Sequence, residues 1–209
     1  MTFSTREEVA KLIVRRDRAF RDVVKSAGPP PSRRSARVDD RFAYLVRSIV
    51  FQLLATSAAS TIHERVQDVC GGDVSVQSIL ATGPVRLKSA GLSRTKADAM
   101  VDLATHVHRG AIRLHHHGRM SDDDVINELT SVRGIGPWTA QMYLMHTLGR
   151  SDVWPVGDYG VRNGWSLVHG LDDIVSPVEL EQAGAKFDGV RSEVAWYCWQ
   201  AVHFHRSAK

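Results

Sequence analysis

Cysteine is almost missing from this sequence. Only Cys70 and Cys198 occur in 209 residues, which excludes a four-cysteine zinc or iron–sulfur site within the chain. No stretch approaches the roughly 20 consecutive apolar residues that a membrane-spanning helix needs. No cleavable apolar leader opens the chain either, so a soluble protein with reduced thiols is expected, in the cytoplasm or, in a eukaryote, the nucleus. Strand signals are absent as well: no sustained apolar–polar alternation bounded by hairpin turns appears, and no internal repeat. Neither sign of charge dominates. The 27 Lys and Arg residues against 23 Asp and Glu leave +4, an excess that suits an anionic partner without selecting one.

What is present is helical. Apolar residues make up 43% and charged residues 24% of the chain, ordinary for a folded globular protein. At this length one core or two small packed lobes suffice. Residues 5–25 carry Val9, Leu12, Ile13, Ala19, Phe20, Val23 and Val24 among charged residues, an amphipathic pattern that Ser4 or Thr5 would cap. The run AGPPPSRRSAR over 27–37 cannot continue a helix and reads as a basic connector. Residues 40–70 read as one long helix, with Phe42, Leu45, Val46, Ile49, Val50, Leu53 and Leu54 on one stripe, stopped by Gly71 and Gly72. Short helices over 76–81 and 85–90 and a longer one over 93–109 follow, punctuated by Gly83, Pro84 and Gly91. Ser121 before three aspartates, and Ser176 followed by Pro177 and Glu179, mark two further helix starts. A final helix covers 192–205. The fold class is all-α.

The most informative stretch is Leu129-Thr-Ser-Val-Arg-Gly-Ile-Gly-Pro-Trp138. Gly134 and Gly136 let the backbone turn sharply and approach a ligand, and the amides opening the next helix suit an anion such as a phosphate. Pro137 has no N–H to offer and is placed to start that helix. A plain turn between two helices explains the same glycines. Downstream, Gly-Arg-Ser-Asp-Val-Trp-Pro-Val-Gly-Asp158-Tyr-Gly delivers an aspartate to the beginning of another helix, where an ordinary N-cap would stand.

The hairpin pattern LTSVRGIGPWTA, followed by Asp158, resembles the DNA glycosylase superfamily named for its helix-hairpin-helix, Gly/Pro-rich loop and aspartate. The likeness is to the 3-methyladenine type II group in compact form, without an N-terminal β domain. It covers roughly residues 41–206 in several motifs in the family's order. It implies a single glycosylase domain over 1–209, two-lobed, with a cleft between the lobes. One lobe would cover about 41–148 with the hairpin at 129–139, the other about 149–209 with the 5–25 helix packed on it.

The resemblance also implies roles. Asp158 takes the catalytic position, with Asp152 the weaker candidate. A single fixed carboxylate can stabilise the positive charge that develops on a sugar as its N-glycosidic bond breaks. Gly134, Gly136 and Thr139 would hold a DNA phosphate, and the carbonyls of Thr130, Val132 and Ile135 would hold K⁺ or Na⁺; no other cofactor is implied. Trp138 stands where bifunctional relatives carry the lysine that attacks the sugar, so hydrolysis without strand cleavage is implied. The segment IVFQLLATSAA resembles the one that pushes a wedge into DNA, with Leu53 as the wedge and Gln52 beside it to touch bases; read without the resemblance, Leu53 is core. In RSEVAWYCW, Trp199 takes the position that stacks on the extruded base, with Trp138 as second wall and Met142 at a pocket position; Tyr44 and Tyr143 are candidate pocket members whose spacing fits lining and core packing equally. Tryptophan faces attract cationic N-alkylated purines. Gly157 stands where many relatives carry another acid, and Met142 where some carry an aromatic residue.

The expected partner is damaged double-stranded DNA, bound by a monomer. A non-catalytic lesion-binding protein is the alternative. His106, His108 and His115 to His117 do not read as a metal site, because adjacent histidines cannot all face one ion. Arg33, Arg34 and Arg37 fit phosphate contact and loop solvation equally.

Overall fold

The computed structural model describes residues 5–207 apart from the side chain of Thr56. Among them the chain forms α1 (Arg6–Arg16), α2 (Arg21–Ala27), α3 (Asp40–Phe51), α4 (Thr56–Val69), α5 (Val76–Ser89), α6 (Arg94–His108), α7 (Asp122–Thr130), α8 (Pro137–His146), α9 (Tyr159–His169), α10 (Pro177–Gly184) and α11 (Arg191–Ser207), with no strand. None of these helices is long and apolar enough to cross a membrane. The chain divides into two compact units, Met1–Arg34 with Gly149–Lys209, and Ser35–Leu148.

In the first unit, α2 and the turn before it pack against α9 and α11. Phe20 lies edge-on to Trp165 and Phe187, each at 5.7 Å between centroids, and Tyr197 on α11 donates to the Gly28 carbonyl at 2.8 Å. Fully burying a side chain such as Phe20 contributes about 1.5–3 kcal/mol. The single helix expected over 5–25 is interrupted. Asp17 is extended and caps a 3-10 turn at Arg18–Phe20, and its carboxylate accepts from Lys186 at 2.7 Å and His169 at 2.9 Å. These bonds need Asp17 out of the helix, and they outweigh continuing it. Thr5 caps α1 in a reciprocal box with Glu8; Ser4, the other cap candidate, lies outside the described residues.

Arg33 is not a surface phosphate ligand. Its guanidinium donates to buried Glu193 at 2.9 Å and to the Ser192 carbonyl at 2.9 Å, fastening the connector to the start of α11. Burial pushes the Glu193 carboxyl above its usual range, although Arg33 and Arg6 oppose the shift.

The second unit holds α3 to α8 around Leu45, Val46, Ile49, Met100, Leu103, Leu129 and Leu144, all fully buried. The helix expected over 40–70 is two helices. The apolar stripe continues through Leu53 and Leu54, but the chain leaves α3 at Gln52 and re-enters helix at Thr56. As anticipated from Gly83 and Pro84, α5 bends at Gly83, whose φ is 69°. Of the histidines, His117 is fully buried, with Nδ1 3.1 Å from the Tyr143 hydroxyl on α8 and Nε2 2.7 Å from a Glu128 carboxylate oxygen on α7. It braces the two helices of the hairpin. No cluster of three metal-ligating side chains occurs among the described residues.

Candidate active site

Asp158 caps α9, and its Oδ1 accepts the Val161 amide at 2.7 Å. The same oxygen accepts the indole N–H of Trp199 at 3.0 Å. Asp158 is only 9% exposed, so both donors act where water screens them little, and hydrogen bonds to an ionised acceptor are the strong kind. Local sequence explains the approach. Gly164 on α9 sits against the backbone of Cys198 on α11, where any Cβ would overlap the Cys198 carbonyl. One turn earlier, a Cβ at Gly160 would lie 3.0 Å from the Trp199 ring and 3.1 Å from Asp158 Oδ1. The two glycines, four apart on one helical face, let α11 come close enough for its tryptophan to reach the carboxylate. This link is invisible in the motif pattern, which marks Trp199 for base stacking only.

The other aspartate in the loop is engaged elsewhere. Asp152 forms a two-pronged pair with Arg191, at 2.7 and 2.6 Å, and accepts the Gly189 amide at 2.8 Å. Burial alone would raise its pKa, but Arg191 and the amide outweigh it and hold the carboxyl below its usual range. Asp152 anchors the start of α11.

The second unit contains a pocket of about 270 Å³ lined by Tyr44, Arg47, Ser48, Phe51, Gln52, Trp138, Thr139, Met142 and His146. Tyr44, Gln52, Trp138 and Met142 are thus brought together, and Trp138 remains 46% exposed. Arg47 was not anticipated; its guanidinium lies over the Phe51 ring at 3.9 Å. Tyr143 is not available to a ligand: it is fully buried and bonded to His117.

Leu53 stands clear of this unit, completely exposed and in the left-handed backbone region at φ 55°. An apolar β-carbon residue in that region is uncommon and strained. A core role is therefore wrong for Leu53. Gln52 points inward to the hairpin, donating to the Gly134 carbonyl at 2.9 Å and the Thr139 hydroxyl at 3.3 Å.

The hairpin closes through a turn in which Ile135 N–H donates to the Val132 carbonyl at 3.1 Å, with Gly134 at φ 81°. Gly134 lies against Ala99 on α6, where a Cβ would sit 3.0 Å from the alanine methyl. Gly136 then caps α8, with Pro137 in its first turn and no side-chain cap, which leaves the amide-rich end of the helix suited to an anion. Thr139 is buried, and its hydroxyl accepts from Gln52 at 3.3 Å. Thr130 ends α7, so its carbonyl is among the last-turn oxygens that no amide of the helix reaches. The Val132 carbonyl keeps a second lone pair beyond the one used by Ile135. Such oxygens fit a hard alkali cation.

Residues 46–187 match the family model described as HhH-GPD superfamily base excision DNA repair protein. The chain belongs to the HhH-GPD superfamily. Its relatives include DNA-3-methyladenine glycosylase 1 of Schizosaccharomyces pombe, 28% identical over 187 residues, covering 88% of this chain and 82% of the relative. The solved S. pombe 3-methyladenine DNA glycosylase in complex with abasic DNA superposes with a TM-score of 0.83 at 26% identity, covering 92% of this chain and 95% of that one. A DNA-3-methyladenine glycosidase from Bacillus halodurans gives 0.83 at 30% identity, covering 95% and 91%. The HhH-GPD match takes in Leu53, the hairpin and Asp158 but ends before Trp199, so the indole on the carboxylate belongs to the part of the chain beyond it.

Proposed function

We propose that this protein is a monofunctional DNA N-glycosylase that removes N-alkylated purines, such as 3-methyladenine and 7-methylguanine, from double-stranded DNA in base excision repair. The observation that carries the reading is the Asp158 carboxylate, buried and oriented by Val161 N–H and the Trp199 indole. As the glycosidic bond breaks, its electron pair leaves with the base and positive charge develops at C1′. A carboxylate fixed in a low-dielectric setting offsets that charge. Water then bonds to C1′ and passes a proton to the Asp158 carboxylate, which returns it to solvent, leaving an abasic site and the free base. An alkylated purine is already cationic and departs easily, so positioning the sugar supplies much of the remaining work.

Tyr44, Trp138 and Met142 are the residues for the flipped base, with Trp199 adding an aromatic face beside the carboxylate. Leu53 fills the gap left in the stack, offsetting part of the few kcal/mol that unstacking costs. The amides of Gly134, Gly136 and Thr139 hold a phosphate, and the carbonyls of Thr130, Val132 and Ile135 hold K⁺ or Na⁺ beside it, supplying positive charge for that phosphate. The protein acts as a monomer. With tryptophan at position 138, no amine attacks the sugar, and the strand stays intact.

Base release from duplexes carrying 3-methyladenine, 7-methylguanine, ethenoadenine, hypoxanthine or uracil tests this. Release of the methylated purines without a borohydride-trapped adduct is expected. A trapped adduct with strand nicking contradicts the monofunctional reading, and no release from any duplex contradicts catalysis.

A further inference from the structure

The exposed Leu53 conformation has to be held by something, because nothing in its own side-chain packing rewards it. The support comes from α6. Lys96, in the first turn of that helix, donates its ammonium to the Val50 carbonyl at 2.9 Å and the Gln52 carbonyl at 2.8 Å. These are oxygens at the C-terminal end of α3, where helical partners run out and a cation is favoured by the helix dipole. One turn along the same face, Ala99 receives Gly134 of the hairpin. One turn further, an Asp102 carboxylate oxygen accepts the Arg133 amide at 2.8 Å. The spacing 96, 99, 102 places all three on one side of α6. The Gln52 amide closes the triangle by donating to the Gly134 carbonyl at 2.9 Å. One rigid helix thus holds the wedge loop at its beginning and the hairpin loop along its length.

We infer that Lys96 is a positioning residue for DNA distortion: it holds Leu53 erect, in register with the hairpin, by clamping the end of α3. The inference rests on the glycosylase reading above, in which Leu53 enters the stack. Lys96 touches no reacting atom, and its ammonium is spent on backbone carbonyls rather than on a phosphate. It should therefore affect recognition of distorted DNA and leave non-specific attraction alone.

The test is the ratio of affinities for a duplex with an abasic site over the same duplex undamaged, measured with the full-length protein across a salt series. Lys96→Met keeps the stem and removes the charged donor. Hydrogen bonds to charged groups are worth enough that about a tenfold fall in the ratio is expected. Lys96→Arg, which restores a cationic donor, should recover most of it. In a Leu53→Ala background the further loss from Lys96→Met should be less than about twofold, since coupled residues are non-additive. The dependence of affinity on salt should match that of the wild type. Equal losses in both backgrounds would assign Lys96 a general structural role and overturn the inference. A weaker salt dependence would make it a phosphate contact and overturn it too. If the unaltered protein neither prefers the abasic duplex nor releases alkylated bases, the glycosylase reading itself falls, and this inference with it.

Discussion

Asp158 serves two purposes with one oxygen. Oδ1 caps α9 through Val161 and receives the Trp199 indole, so holding the helix and orienting the carboxylate are one arrangement. Trp199→Phe preserves an aromatic face and deletes the N–H. A hydrogen bond to a charged group contributes about 1.5–3 kcal/mol, so single-turnover base release should slow roughly 10- to 100-fold while DNA affinity falls much less. Equal losses in rate and affinity would mean that the ring acts by stacking alone. Gly160→Ala probes the same contact from the other side, because its methyl would press on the ring and on Oδ1 at 3.0 and 3.1 Å; slower base release with an unchanged urea midpoint is expected. The sequence made Asp158 and Trp199 visible as motif positions. Their bond was not visible, since they stand 41 residues apart and meet only through the glycine-mediated crossing of two helices.

At the scale of elements, the hairpin depends on a buried histidine. His117 joins Glu128 on α7 to Tyr143 on α8. Burial lowers its pKa below the ordinary 6.5, against the pull of the Glu128 carboxylate and with a smaller push from Arg41 and His115. The folded protein therefore resists the proton that the unfolded chain accepts. Its contribution to stability is full above about pH 6.5, declines as pH drops below that value, and is gone below the folded pKa. The protection of α7 and α8 amides against hydrogen exchange, corrected for the intrinsic fall of the exchange rate with pH, should drop between pH 7 and 5 in the wild type, and a His117→Gln variant should lose most of that drop. An unchanged dependence in the variant would place the acid sensitivity elsewhere. Helix starts at Ser121 and Ser176 were legible because capping chemistry is local. The ends of helices at Asp17 and Gln52 were not. Their apolar stripes run on uninterrupted, and what stops them is a distant partner: Lys186 and His169 for Asp17, Lys96 and the hairpin for Gln52. A residue outside any motif, Lys96, was the signal missed.

For the whole molecule, the all-α class and the superfamily were readable because several motifs occur in order along one chain, and the match over residues 46–187 agrees. Compactness of the first unit relies on close backbone approach. At Gly164 a methyl would collide with the Cys198 carbonyl, and at Gly184 with the Trp154 indole, which donates to Leu180 at 2.9 Å. Overpacking of this kind costs about 1–3 kcal/mol, so Gly164→Ala should lower the urea midpoint and weaken base release together, unlike Gly160→Ala. An unchanged midpoint would show that α9 and α11 separate without cost.

In the proposed function the carboxylate of Asp158 performs chemistry and does not merely cap a helix. Asparagine is an equally good N-cap, so Asp158→Asn keeps the helix start and removes the negative charge. Base release from a 7-methylguanine duplex, measured under single-turnover conditions alongside affinity for an abasic duplex, separates the two roles. The substitution is expected to slow release by at least about a hundredfold, the scale of a lost electrostatic contact in a transition state, while affinity is retained. Release within a few-fold of wild type would contradict it.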